Sequence, residues 1–116
     1  MPERTAREPE LSEREAVAQY ERAVQDNGDA KAHFNLGSAY YAAHDLDNAL
    51  REFQAALSQQ PNMDHAHYYL GGLYARRGSF DKARQEWEFV LNGSDNFILK
   101  AQARSQLRGL DKNNKT

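Results

Sequence analysis

The chain has no cysteine, which excludes disulfides, thiol nucleophiles and any metal site built on thiolate. Proline is scarce. Two of the three, Pro2 and Pro9, fall within the first ten residues, and Pro61 alone interrupts the rest, so helices can run between short turns. No apolar run approaches the length needed to span a bilayer, and residues 1–10 are too polar and charged for a secretory leader. Neither sign of charge dominates: 15 basic against 17 acidic residues give a formal net charge of −2, which provides no electrostatic drive toward nucleic acid or an anionic membrane. No phosphate loop, nucleophile–base pair or paired catalytic carboxylate stands out. These absences imply a soluble, non-enzymatic protein with no cofactor, no nucleic-acid partner and no membrane insertion. With Met1 as the natural start the expected compartment is the cytoplasm; removal of a leader would make it periplasmic or exported.

What is present is a unit written twice. At an offset of 34 residues Ala32 meets Ala66, His33 meets His67, Leu36 meets Leu70, Gly37 meets Gly71 and Tyr40 meets Tyr74. The match continues through Asp47/Asp81, Ala49/Ala83, Glu52/Glu86 and Leu57/Leu91, while Phe34/Tyr68 and Phe53/Trp87 conserve size. A period of this length marks a stacked array, because one unit cannot bury its apolar face alone.

The expected elements are six helices with no strand. After an arm over residues 1–10, Ser12 and Glu15 have the spacing of a capping box, opening a helix with Ala16, Val17, Tyr20, Ala23 and Val24 on one stripe. Asn27 and Gly28 are expected to end it in the left-handed region. The first full copy, residues 30–63, holds two helices turning at His44 and Asp45. The second, residues 64–97, repeats them and turns at Gly78, a residue that accepts the left-handed conformation; His44, in the matching place, implies strain or a different turn. A capping helix over residues 98–110 carries Leu99, Ala103 and Leu107 on one face, with Lys100, Arg104 and Arg108 forming a basic stripe opposite. Residues 111–116 are expected to fray. Gly37 and Gly71 are expected to face Ala49 and Ala83 at close helix crossings, with Tyr40, Phe53, Tyr74 and Trp87 filling the spaces between pairs.

Leu36, Gly37, Tyr40, Ala49, Phe53, Ala56 and Pro61 resemble the tetratricopeptide repeat signature, and Leu70, Gly71, Tyr74, Ala83 and Trp87 repeat it. Residues 11–29 resemble the second half of an earlier repeat. The resemblance implies an all-α fold, a right-handed α-solenoid of antiparallel helix pairs with a half repeat at one end. It also implies protein–protein interaction as the function, with a peptide or extended segment of a partner lying along the concave groove formed by the first helix of each pair.

Carried over residue by residue, that groove is lined by Lys31, Phe34, Asn35, Ser38 and Tyr41 in the first copy and by His65, Tyr68, Tyr69, Gly72 and Arg76 in the second. Asn35 matches the asparagine that in the family holds a bound peptide's backbone, a role suited to an amide with donor and acceptor. The aromatics suit apolar side chains of a partner, and Lys31 and Arg76 an acidic group. The carboxylate clamp of chaperone-binding members is not reproduced, since only Asn35 fits it. His65 and His67 point to different helix faces and cannot chelate one metal together. His33 and His67 are read as partly buried packing residues, and Asp47, Glu52, Asp81 and Glu86 as a solvated charged face. The alternative function is a self-assembling scaffold. A weak homo-oligomer through the N-terminal edge is expected, because the helix there lacks the partner its repeat position implies.

Overall fold

The computed structural model describes residues 10–114, and the side chains of residues 10–112; residues 1–9 of the expected arm and the last two residues lie outside that range. Six helices follow one another: α1 (Leu11–Asp26), α2 (Ala30–Ala42), α3 (Leu46–Gln59), α4 (Asp64–Arg76), α5 (Phe80–Gly93) and α6 (Phe97–Asn114). Among the described residues there is no strand. The chain divides into two compact units after Pro61.

In the first unit α2 and α3 form a hairpin, with α1 packed on α2. Short polar residues set the starts. Asp29 accepts from the Ala32 backbone amide at 2.8 Å, and Asp45 accepts from the Asn48 backbone amide at 3.5 Å, satisfying donors that the first helical turn leaves without partners. The core is small-residue packing around one ring: Phe53, Ala49 and Ala56 are fully buried, and Leu36 nearly so. Phe34 lies against Phe53 with ring centroids 5.6 Å apart. At the last residue of α3, the Gln59 side chain donates to the Gly28 carbonyl at 2.7 Å, tying the end of that helix to the α1–α2 junction.

The start of α1 differs from the expected Ser12 cap. Glu10 is the cap instead, two residues earlier, and the Glu13 carboxylate accepts from the Glu10 amide at 2.7 Å. A second glutamate at the right spacing, Glu13, lies two residues upstream of Glu15, so the capping box shifts by two residues. The end of α1 also departs from expectation. Asn27 is extended, with φ −155° and ψ 93°, and among the described residues only His44 and Gly78 have positive φ. The chain leaves α1 by extension, and the Asp29 amide donates to the Asn27 carbonyl at 2.9 Å.

In the second unit α4 and α5 form the hairpin and α6 packs on α5. Its core joins Ala83, Trp87 and Val90 of α5 to Leu99, Ala103 and Leu107 of α6. The Trp87 indole nitrogen donates to the Tyr68 carbonyl at 3.1 Å, so the largest core residue also satisfies its polar atom. Asn96 caps α6, its side-chain oxygen accepting from the Leu99 amide at 3.0 Å. α6 continues past the expected end at Leu110 to Asn114, and Arg84 holds Asp111 at 2.8 Å.

The atoms nearest Gly37 and Gly71 across each hairpin include those of a ring. A Cβ at Gly37 would lie 3.0 Å from Cδ1 and Cε1 of Phe53, and one at Gly71 only 2.7 Å from Cδ1 and Cε2 of Trp87. The glycines are seats for rings, because the aromatic four residues beyond each alanine reaches back across the hairpin.

Candidate functional site

The two repeated histidines define the interior chemistry of each hairpin. His33 Nδ1 lies 2.7 Å from Glu52 Oε1, and His67 Nδ1 lies 2.6 Å from Glu86 Oε1. All four side chains are largely shielded, between 14% and 22% exposed. Glu52 and Glu86 are therefore not part of a solvated face: each turns inward to hold a histidine across the hairpin. His67 additionally stacks on Phe89, with centroids 3.9 Å apart. Among the described residues no group of histidine and acidic side chains could hold a metal ion. On α2, Tyr40 donates from its hydroxyl to Glu21 of α1 at 2.9 Å. Burial, then the Glu21 hydrogen bond and negative charge, push its phenol up to about 12.

The residues assigned to the groove fall into distinct settings. In the first unit Lys31 is exposed, beside a shallow depression it shares with Asp29, Ala30, Gln59 and Gln60. Phe34, Asn35, Ser38 and Tyr41 are half-buried on α2, and Phe34 spends its ring on Phe53. In the second unit the structure brings His65, Tyr68 and Tyr69 together around a cleft of about 410 Å³. Gly72 is half-buried further along α4, and Arg76, exposed, lines a second cleft with Phe80 and Gln106.

The other wall of the larger cleft was not anticipated from sequence. It is α6, through Asn96, Ile98, Leu99 and Gln102. Leu99 is 3% exposed and forms the floor, while Ile98 is 73% exposed and forms the lip, next to Phe97 at 86%. Phe97 and Ile98 were the available signal, two large apolar residues directly after the Asn96 cap and off the stripe of Leu99, Ala103 and Leu107. Contacts within the unit hold Tyr68. The Tyr68 hydroxyl accepts from Gln106 at 3.3 Å, its carbonyl accepts from Trp87, and its ring meets Tyr69 edge-on with centroids 5.9 Å apart. Ser94, 4% exposed, donates to Asp64 at 2.6 Å and accepts from the Asn96 amide at 3.0 Å. That hydroxyl fixes the start of α4 to the start of α6.

Two helical hairpins with matched internal His–Glu pairs define a helical-repeat class of protein. The tetratricopeptide repeat family model matches residues 14–63 and 34–88, and the chain belongs to that family. It is similar in structure to MamA, with a TM-score of 0.68 and 25% sequence identity over 84% of this chain. The likeness covers 60% of the MamA chain. No curated protein matches the sequence. Among the described residues no helix is long and apolar enough to cross a membrane.

Proposed function

We propose that this protein is a non-enzymatic docking module that holds an extended segment of a partner protein against the first-helix faces of its repeats. Family membership supports protein–protein interaction as the general role. The finer reading, a peptide-binding face, is carried by one observation: Tyr68 and Tyr69 stand half-buried beside an open cleft whose lip is the exposed Ile98. Aromatic rings with a polar end, fixed in advance and accessible from solvent, are the side chains that dominate binding surfaces. On α2, Asn35 and Ser38 supply the polar groups for a backbone, and Lys31 a cation for an acidic partner side chain. A photo-crosslinking side chain at position 69 should capture a partner segment, and the same probe at the exposed Glu88 on α5 should not. Equal capture from both positions would move the docking face away from the first helices.

A second reading, self-association, draws on α1. Tyr20 is 38% exposed and Ala23 is exposed, whereas their counterparts Phe53 and Ala56 are fully buried and Trp87 is 3% exposed. No residue of α1 is buried. Sedimentation velocity should show concentration-dependent association that Tyr20→Glu/Ala23→Glu removes. A wild-type protein that stays monomeric over the whole accessible range would end this reading.

A further inference from the structure

The first and last described helices are half repeats of opposite kind. α1 matches the second helix of a hairpin: Ala16, Tyr20 and Ala23 align with Ala49, Phe53 and Ala56 at an offset of 33 residues. In the hairpin that stripe is fully buried, whereas on α1 Tyr20 is 38% exposed and Ala23 is exposed. α6 holds the place of a further first helix, packing on α5 and α4, although its buried stripe of Leu99, Ala103 and Leu107 is its own. Ser105 lies 34 residues after Gly71, as Gly71 lies 34 after Gly37. Phe53 and Trp87 close over the two glycines. Ser105 is exposed, with Ala101 and Gly109 one turn to either side and Ile98 beyond them. The charges of the two helices are opposite. α1 has four acidic residues against two basic. α6 has four basic against one acidic, Asp111, which Arg84 engages.

We propose that a second copy of this chain covers the open face of α1 with its α6, the two helices running antiparallel and Tyr20 lying over Ser105. This rests on the self-association reading above and names the surface that α1 takes. The pairing repeats between copies what each hairpin does within one, a ring over a small residue. With Tyr20 over Ser105, Ala16 comes opposite Gly109 and Ala23 opposite Gln102. Successive residues turn by about 100°, which puts Glu15 and Asp26 along one edge of the α1 face. Arg104 and Arg108 line the edge of the α6 face that meets it. Glu15 and Arg108 come nearest, offset by about 3 Å along the axis at 1.5 Å per residue. Exposed charges of this kind choose the partner more than they strengthen the contact. Two copies of α1 would bring acid to acid, and two copies of α6 base to base. Serine makes a shallower seat than glycine, so the association is weak and reversible.

Two variants of the full chain test this by sedimentation velocity. Tyr20→Glu/Ala23→Glu blocks α1, and Ala101→Glu/Ser105→Glu blocks α6. All four side chains are exposed, so circular dichroism of both variants should match wild type. Each variant alone should stay monomeric at concentrations where wild type associates, because each keeps only one half of the contact. Mixed in equal amounts, they should form a dimer with one chain of each, through the single intact pairing of α1 with α6. In that dimer Glu15→Arg on the chain that offers α1 should weaken binding at least about threefold, and Arg108→Glu on the chain that offers α6 should restore it. An α6-blocked variant that still associates with itself, or a mixture that stays monomeric while wild type associates, would overturn the pairing and leave self-association standing. Charge reversals that do not compensate would overturn the antiparallel register. A wild type that stays monomeric over the whole accessible range would overturn self-association itself, and this pairing with it.

Discussion

In the α2–α3 hairpin the ring of Phe53 lies over Gly37, and in the α4–α5 hairpin the larger ring of Trp87 lies over Gly71. Both hairpins bury the ring and both close a His–Glu pair at nearly the same distance. They differ in how tightly the glycine seat is filled. A phenyl ring leaves a hypothetical Cβ at 3.0 Å, whereas the indole comes closer and also donates to the Tyr68 carbonyl. The same backbone motif therefore tolerates two ring sizes, because the seat has no side chain and the neighbouring alanines leave the hairpin free to adjust. Their turns differ too. Gly78 and His44 occupy matching places, both with positive φ, at 79° and 63°, so the strain expected of a histidine there is present.

The comparison can be broken at its strongest point first. Trp87→Ala removes a nearly fully buried indole and its hydrogen bond, and should destabilise the second unit by about 3–5 kcal/mol. Urea titration followed by circular dichroism measures this; a midpoint equal to wild type would mean that the ring is not the centre of the hairpin. Next in size is the seat itself. Gly71→Ala should destabilise by about 1–3 kcal/mol, since the new methyl meets a rigid indole. Gly37→Ala should stay within about 1 kcal/mol of wild type, because its milder clash is offset by the gain in helix propensity. Adding Trp87→Phe to Gly71→Ala should recover part of the loss, and a double-mutant cycle that shows no coupling would refute the seat. The smallest effects belong to the turns. His44→Gly should stabilise by about 1 kcal/mol and Gly78→Ala should destabilise by a similar amount, since a Cβ in the left-handed region is strained. Equal and negligible changes at both positions would show that turn strain is absorbed elsewhere.

Much of the architecture was legible because it depends on periodicity. The stripes of Ala49, Phe53 and Ala56 and of Ala83, Trp87 and Val90 repeat at helical spacing, and His44 and Gly78 mark the turns between helices. The missed features depend on three-dimensional partners. Glu52 and Glu86 read as surface charge because each lies among other charged residues, and nothing along the chain shows that a histidine 19 residues earlier arrives beside it. The α1 cap was misplaced because Glu10, Ser12, Glu13 and Glu15 offer overlapping boxes, and backbone geometry chooses among them. The cleft was half legible. His65, Tyr68 and Tyr69 follow from repeat position, but Ile98 and Gln102 come from a helix that departs from the repeat pattern, so no matching position announces them.

Ser94 carries a consequence for recognition. One shielded hydroxyl, bonded to Asp64 at the first turn of α4 and to the Asn96 amide at the cap of α6, acts as a spacer between the two walls of the aromatic cleft. On the docking reading proposed above, the gap that a visiting side chain would enter is gauged from within the protein. A cleft of set width has little conformational freedom left to lose when it is filled, so it can reward a side chain of the right breadth and gives a poorly fitting one no opportunity to remould it. On that reading Ser94 touches no visitor, yet it sets how wide a visitor can be.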